Sequence, residues 1–126
     1  MLALVVDDSL SIRLLLTRLL QSRLFQVEAV PGGLAALERL RRLPAPDLMV
    51  LDWNMPGMDG LEVLSQARAM PGLEKLCVMM ATAETDLGQI SAALEAGVDE
   101  YLMKPFDVHS LDEKLELLGF QVAATA

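Results

Sequence analysis

DLMVLDWNMPGMDG, residues 47–60, sets the reading of this chain: an apolar run from Leu48 to Leu51 stops at Asp52, and Pro56, Gly57 and Gly60 then turn the backbone toward a helix. A short apolar run bounded by turn residues reads as a buried strand, here ending on a carboxylate. The pattern recurs on both sides of it. LALVV (2–6) runs into Asp7-Asp8, CVMMA (77–81) into Thr82 and YLM (101–103) into Lys104, whereas FQVEAV (25–30) ends in Pro31-Gly32-Gly33 without such a group. Between these runs lie helical patterns. Ile12, Leu15, Leu16 and Leu19 mark a helix from Ser9, its expected cap, to about Arg23. Leu34, Leu37 and Leu40 mark a second that ends by Pro44, and a third runs from Gly60 to about Met70. Leu87, Ile90 and Leu94, closed by Gly97, mark a fourth; Val108, Leu111, Leu115 and Leu118 mark the last. Apolar strands alternating with amphipathic helices predict an α/β fold with a parallel sheet covered on both faces. The carboxyl ends of parallel strands share one edge, where open α/β sheets bind ligands. Asp7, Asp8, Asp52, Thr82 and Lys104 are therefore expected to converge.

Composition excludes several classes. At 126 residues the chain can bury one core without disulfides or structural metal. A hydrophobic fraction of 53% and a mean hydropathy of +0.40 invite a membrane reading. No apolar run approaches the ~18 residues a spanning helix needs, and MLALVV lacks the basic start of a secretory signal. A lone Cys77 cannot form an internal disulfide and is read, with the methionines, as core. The expectation is a soluble cytoplasmic protein. A net charge of −8 opposes phosphate-backbone binding, so no nucleic-acid partner is expected. Arg39, Arg41 and Arg42, with Glu38 among them, read as a solvated helix face.

The residue types suggest a chemistry. Three carboxylates at one sheet edge repel one another and raise their own pKa values unless a cation neutralises them. Hard oxygens with room left for water and phosphate suit Mg²⁺. An aspartate can attack phosphorus as a nucleophile, and the phosphoryl oxygens then need donors, which Lys104, the Thr82 hydroxyl and backbone N–H groups could supply.

VVDDS (5–9), LDWNMPGMDG (51–60), ATAE (81–84) and AGVDEYLMKPF (96–106), in that order, resemble the receiver domains of two-component response regulators, and within them the CheY-type single-domain regulators. The resemblance implies a flavodoxin-like, doubly wound sheet of five parallel strands in order 2-1-3-4-5 with five helices. The receiver domain would span 1–120, followed by a tail at 121–126. It implies that Asp52 is phosphorylated by a sensor histidine kinase, a phosphotransfer protein or a small acyl phosphate. Asp8 and Asp52 would bind Mg²⁺ through side chains, Asn54 through its backbone carbonyl and Asp7 mainly through water. Thr82 and Lys104 would hold the phosphoryl oxygens, Thr82 and Tyr101 would form the switch, and Asn54 and Glu84 would tune dephosphorylation. The Lys104-Pro105 bond would be cis. The responsive surface would be the fourth helix, fifth strand and fifth helix, about Asp86 to Gly119, acting on a downstream protein in a pathway such as chemotaxis or motility.

On this reading the chain is a signalling phosphoacceptor that catalyses only its own phosphotransfer and autodephosphorylation. It would be a monomer, with dimerisation on phosphorylation as the alternative, and would need no membrane. A receiver cut from a longer DNA-binding regulator or hybrid kinase is a second reading, which the initial Met and short tail disfavour. An aspartate-nucleophile phosphatase is a third, disfavoured by Asn54 where a second acid is usual. His109 reads as a solvated residue, and Trp53 as packing beside Asp52. The chain departs from the family at Pro31-Gly32-Gly33 and Ala35. Between Asp86 and Gly119 only Lys104 and Lys114 are cationic, so the partner surface should be acidic.

Overall fold

The computed structural model describes residues 1–83 and 87–122. Ten elements alternate along the chain: β1 (Leu2–Val6), α1 (Leu10–Ser22), β2 (Gln26–Val30), α2 (Gly33–Leu40), β3 (Leu48–Asp52), α3 (Gly60–Ala69), β4 (Cys77–Thr82), α4 (Leu87–Ala96), β5 (Glu100–Met103) and α5 (Val108–Leu117). All strand pairs are parallel and the order is β2-β1-β3-β4-β5, as the resemblance implied. Among the described residues no helix is long and apolar enough to cross a membrane.

The strands read as unbroken apolar runs because successive side chains enter two different cores. Leu4, Val6, Met49, Leu51, Val78 and Met80 meet α2, α3 and α4 on one face. Ala3, Val5, Val50, Met79, Ala81 and Leu102 meet α1 and α5 on the other. Each large aliphatic side chain fully withdrawn from water contributes about 1.5–3 kcal/mol, so both layers are held strongly to the sheet. Helix starts are fixed by local chemistry. Ser9 accepts from the Ile12 N–H, Asp59 from the Glu62 N–H, and Asp107 forms a capping box with Ser110. At the other end of α4, Gly97 takes φ +100, the left-handed geometry expected of its cap.

The predicted helical faces shift in detail. In α1 the buried residues are Leu16 and Leu20, while Leu15 is exposed; in α2 Leu34 is exposed and Ala36 takes its place beside Leu37 and Leu40. Leu87 and Leu94 of α4 point to solvent, and Ala93 is its buried residue. Arg39 corrects the reading of a solvated basic face: it is only 4% exposed. It lies three residues past buried Ala36, on the inward side of α2, and forks onto Glu28 of β2 at 2.9 and 3.1 Å. It also donates to the carbonyls of Arg42 and Pro44. Cys77, at the start of β4, is partly exposed and packs at the margin of the core shared with α1 and α5, and burial raises its thiol pKa, which keeps it protonated. The Leu43-Pro44 and Lys104-Pro105 bonds are both cis.

Candidate functional site

Register carries the polar strand ends to one edge. Val6 lies beside Leu51, Asp52 beside Ala81 and Thr82 beside Met103, so Asp7, Asp52, Thr82 and Lys104 sit at nearly one level. The chain steps from β1 outward to β2 and returns to β3 on the other side, which opens a crevice above β1 and β3.

Asp7 is buried and held from three directions. Its Oδ1 accepts from the Ser9 N–H at 2.9 Å, its N–H donates to the Val30 carbonyl and its own carbonyl accepts from Arg13 Nη1 at 2.7 Å. Asp8 beside it is exposed, and Asp52 is buried at the last residue of β3. Lys104 Nζ reaches across to Asp7 Oδ2 at 2.9 Å and Asp52 Oδ1 at 3.2 Å. Its backbone N–H donates to the Thr82 carbonyl at 3.0 Å, which locks the end of β5 to β4. Thr82 is fully buried. Asn54 is exposed in the β3–α3 loop, and Trp53 is buried against the α3 side of the core. Tyr101 is half-buried on β5 against that same core. His109 is exposed in the first turn of α5. Glu84 lies outside the described residues.

One contributor was not apparent from residue types. Gly60 N donates to the Trp53 carbonyl at 2.8 Å, and a Cβ at Gly60 would collide with the Asp52 carbonyl oxygen and come within 2.9 Å of Trp53 Cα. The first turn of α3 therefore rests directly on the backbone that carries Asp52. The DG pair at 59–60 signals a helix start in the sequence, but not this close approach.

Burial and the neighbouring Asp7 charge raise the Asp52 pKa, and the Lys104 ammonium offsets them only in part. Burial opposes charge on Lys104 as well, yet its bonds to Asp7 and Asp52 outweigh this and hold its pKa above the ordinary lysine value. One oxygen from each of Asp7, Asp8 and Asp52 falls within 4.8 Å of the others. Three carboxylates against one ammonium leave two negative charges uncompensated, which is the charge of a divalent cation with the opposite sign. The donors are hard oxygens and one side of the cluster is open, so the pocket is able to bind a divalent metal. Two apolar hollows flank it. Ile12, Leu15 and Phe106 line one of about 320 Å³, and Pro31, Leu34 and Met58 one of about 300 Å³.

The model of the response regulator receiver domain matches residues 3–116. The chain is 41% identical to the chemotaxis protein CheY-3 of Vibrio cholerae serotype O1, covering 90% of this chain and 87% of that one. It is also 41% identical to the chemotaxis protein CheY of Pseudomonas aeruginosa, covering 90% and 91%. The solved structure of Vibrio cholerae chemotaxis protein CheY4 superposes with a TM-score of 0.87 at 30% identity, over 93% of this chain and 97% of that one. Sheet order, acidic pocket and both kinds of likeness agree: the chain belongs to the response regulator receiver domain family and is CheY-like.

Proposed function

We propose that this chain is the phosphoacceptor of a cytoplasmic two-component phosphorelay, phosphorylated on Asp52 in a Mg²⁺-dependent reaction and acting on a protein partner in a chemotaxis-type pathway. The observation that carries this reading is Lys104 Nζ bonded to both Asp7 and Asp52 while Asp8 completes a cluster of metal-ligating oxygens. A bound Mg²⁺ would neutralise the excess charge and draw the phosphoryl oxygens toward the carboxylates. Asp8 and Asp52 would hold it through side chains, Asn54 through its carbonyl and Asp7 through water.

Asp52 supplies the nucleophile: a carboxylate oxygen forms the new bond to phosphorus as the bond to the donor histidine nitrogen breaks. Lys104, already seated between the acids, would turn its ammonium to the phosphoryl oxygens, and the Thr82 hydroxyl would donate to another. Arg13 and Ser9 hold Asp7 in place. Loss of the phosphoryl group to water would occur at the same centre, tuned by Asn54 and Glu84. Movement of Thr82 toward the phosphate would let Tyr101 turn inward and alter the surface of α4, β5 and α5. The apolar hollows beside the acids suit a protein donor of a phosphohistidine, a sensor kinase or phosphotransfer protein, that docks around the site.

Trp53 neighbours Asp52 and reports on the reaction. Mg²⁺ followed by beryllofluoride or acetyl phosphate should change its fluorescence saturably, and Asp52→Asn should abolish the acyl-phosphate response. An unchanged signal together with no acid-labile phosphate on Asp52 would falsify the mechanism.

A further inference from the structure

α2 and α3 end on the side of the sheet opposite the acids, because each helix of a parallel sheet returns along the strand that precedes it. There the turns that lead into β3 and β4 enclose a hollow of about 350 Å³. Leu40, Ala45, Met70 and Leu73 form its apolar wall, and the exposed Arg41, Arg42 and Leu43 complete its lining.

Leu43 is 91% exposed, yet the backbone that carries it is pinned on both sides. The carbonyls of Arg42 and Pro44 accept from Arg39 at 3.0 and 2.8 Å, and the same guanidinium forks onto Glu28 of β2. The turn across the hollow is closed as well: the Gly72 N–H donates to Glu74 Oε1 at 3.1 Å and the Leu76 N–H to the Leu73 carbonyl at 3.1 Å. A large apolar side chain held fixed in water beside a preformed hollow is organised for contact with another molecule.

Charge narrows what that molecule is. Cations at the end of a helix commonly answer its unpaired carbonyls, but buried Arg39 already takes the carbonyls that follow α2. Arg41 and Arg42 make no ion pair among the described residues, and Arg42 acts on Glu28 only through its charge, since Arg39 holds both oxygens of that carboxylate. Lys75, exposed two residues past Leu73, makes none either among the described residues. Of the other seven cations, all but Arg18 are held by carboxylates or carbonyls of the chain. On a chain of net charge −8, these two turns therefore attract an anionic group that the rest of the surface repels. A lipid surface is the weaker fit, because anionic membranes recruit clusters of about four to eight basic residues and these turns offer three.

We propose that the hollow between the α2–β3 and α3–β4 turns docks an acidic segment of a partner protein, with a large apolar side chain against Leu40, Leu43, Met70 and Leu73 and carboxylates on Arg41 and Arg42. The hollow lies at the far end of the sheet from Asp52, so the segment stays bound while the acidic pocket reacts.

Anisotropy titrations of the full chain in Mg²⁺ test it with three labelled peptides. One is a Glu-rich segment around a Leu-Phe pair, one has Lys in place of Glu, and one keeps Glu with Ser in place of Leu and Phe. The first is expected to bind saturably, one per chain, and the other two at least about tenfold more weakly. Arg41→Gln with Arg42→Gln should weaken it about tenfold or more, whereas Arg18→Glu on α1, an equal change in net charge, should weaken it less than about twofold. Leu43→Ser, at a side chain already in water, should weaken it about fivefold while leaving the fold intact.

Equal losses from the arginine pair and from Arg18→Glu would reveal attraction to the whole molecule and overturn the proposal. Full affinity in Leu43→Ser would do the same, as would equal binding of the Ser peptide. Sedimentation with phosphatidylglycerol vesicles that the arginine pair abolishes, with no peptide bound, would assign the patch to a membrane instead. Self-association abolished by Leu43→Ser would assign it to a second copy of the chain. Beryllofluoride should leave peptide affinity within about twofold, and a change of about tenfold would overturn the separation of the two ends. A silent Trp53 with peptide binding intact would count against the phosphoacceptor reading alone.

Discussion

At the scale of single residues, Lys104 holds two of the three carboxylates that could ligate a metal, Asp7 and Asp52. Its ammonium neutralises Asp7 and Asp52 from one side, so removing it should make the carboxylates a stronger cation site and a poorer phosphoryl site. In Lys104→Met we expect Mg²⁺ affinity, read from Trp53 fluorescence, to rise about threefold to tenfold, while acyl-phosphate labelling of Asp52 falls. Unchanged affinity would mean that the lysine is not felt at the metal position. Gly60 acts through the backbone instead. A methyl group there overlaps the Asp52 carbonyl, which cannot give way as a flexible side chain can. Gly60→Ala should lose about 1–3 kcal/mol in urea denaturation and should also slow labelling of Asp52 in the protein that remains folded. Loss of stability with normal labelling would separate α3 docking from Asp52 placement.

At the scale of elements, the sheet is sandwiched by helices of unequal anchorage. α1 and α5 are tied at the edge of their core: Arg23 Nε and Nη2 fork onto Asp112 Oδ1 and Oδ2 at 2.7 and 2.8 Å, and Phe25 meets Phe120 edge to face at 5.3 Å. Among the described residues, α4 buries one residue fully, Ala93. Its C-terminal end is gripped by Arg68 of α3, whose guanidinium donates to the carbonyls of Gly97 and Leu76 and to Asp99. A helix so held can pivot with little loss of apolar burial, which suits an element expected to respond to the site. The Arg23–Asp112 fork makes a pH prediction. The hydrogen bonds from Arg23 hold the Asp112 carboxyl below its ordinary value, so its contribution is present above the unfolded pKa of about 3.9 and vanishes as pH falls through the lower folded value. Asp112→Asn should therefore melt below the wild type at pH 7, and the gap should close as the wild type is acidified past that range. A gap that persists into strong acid would assign the loss to packing rather than charge.

At the scale of the whole molecule, the sequence showed what periodicity and strand ends can encode and missed what depends on close approach. Four apolar runs with polar termini sufficed to place Asp7, Asp52, Thr82 and Lys104 at one edge, because parallel strands of similar length bring their carboxyl ends level. Arg39 was misread because a charged residue in a helix gives no sign that a carboxylate on the neighbouring strand awaits it. Leu87 and Leu94 marked the fourth helix without showing which way it faces, because an apolar stripe looks the same in sequence whether it is buried or exposed. The converging acids also have a global consequence. A carboxyl whose folded pKa is raised, as burial and Asp7 raise that of Asp52, costs stability once it ionises, so the apo fold carries a penalty at neutral pH. Asp52→Asn should consequently melt higher than the wild type in EDTA. Mg²⁺ should remove the penalty in the wild type: at about a hundredfold excess over its Kd, binding to the folded state alone contributes about 2.7 kcal/mol. At roughly 4 °C per kcal/mol for a domain of this size, scanning calorimetry should show Tm rising by about 10 °C. Neither NaCl at matched ionic strength nor Mg²⁺ added to Asp8→Asn should reproduce that rise. If both do, the cation is screening the surface charge of the chain rather than occupying the acidic pocket.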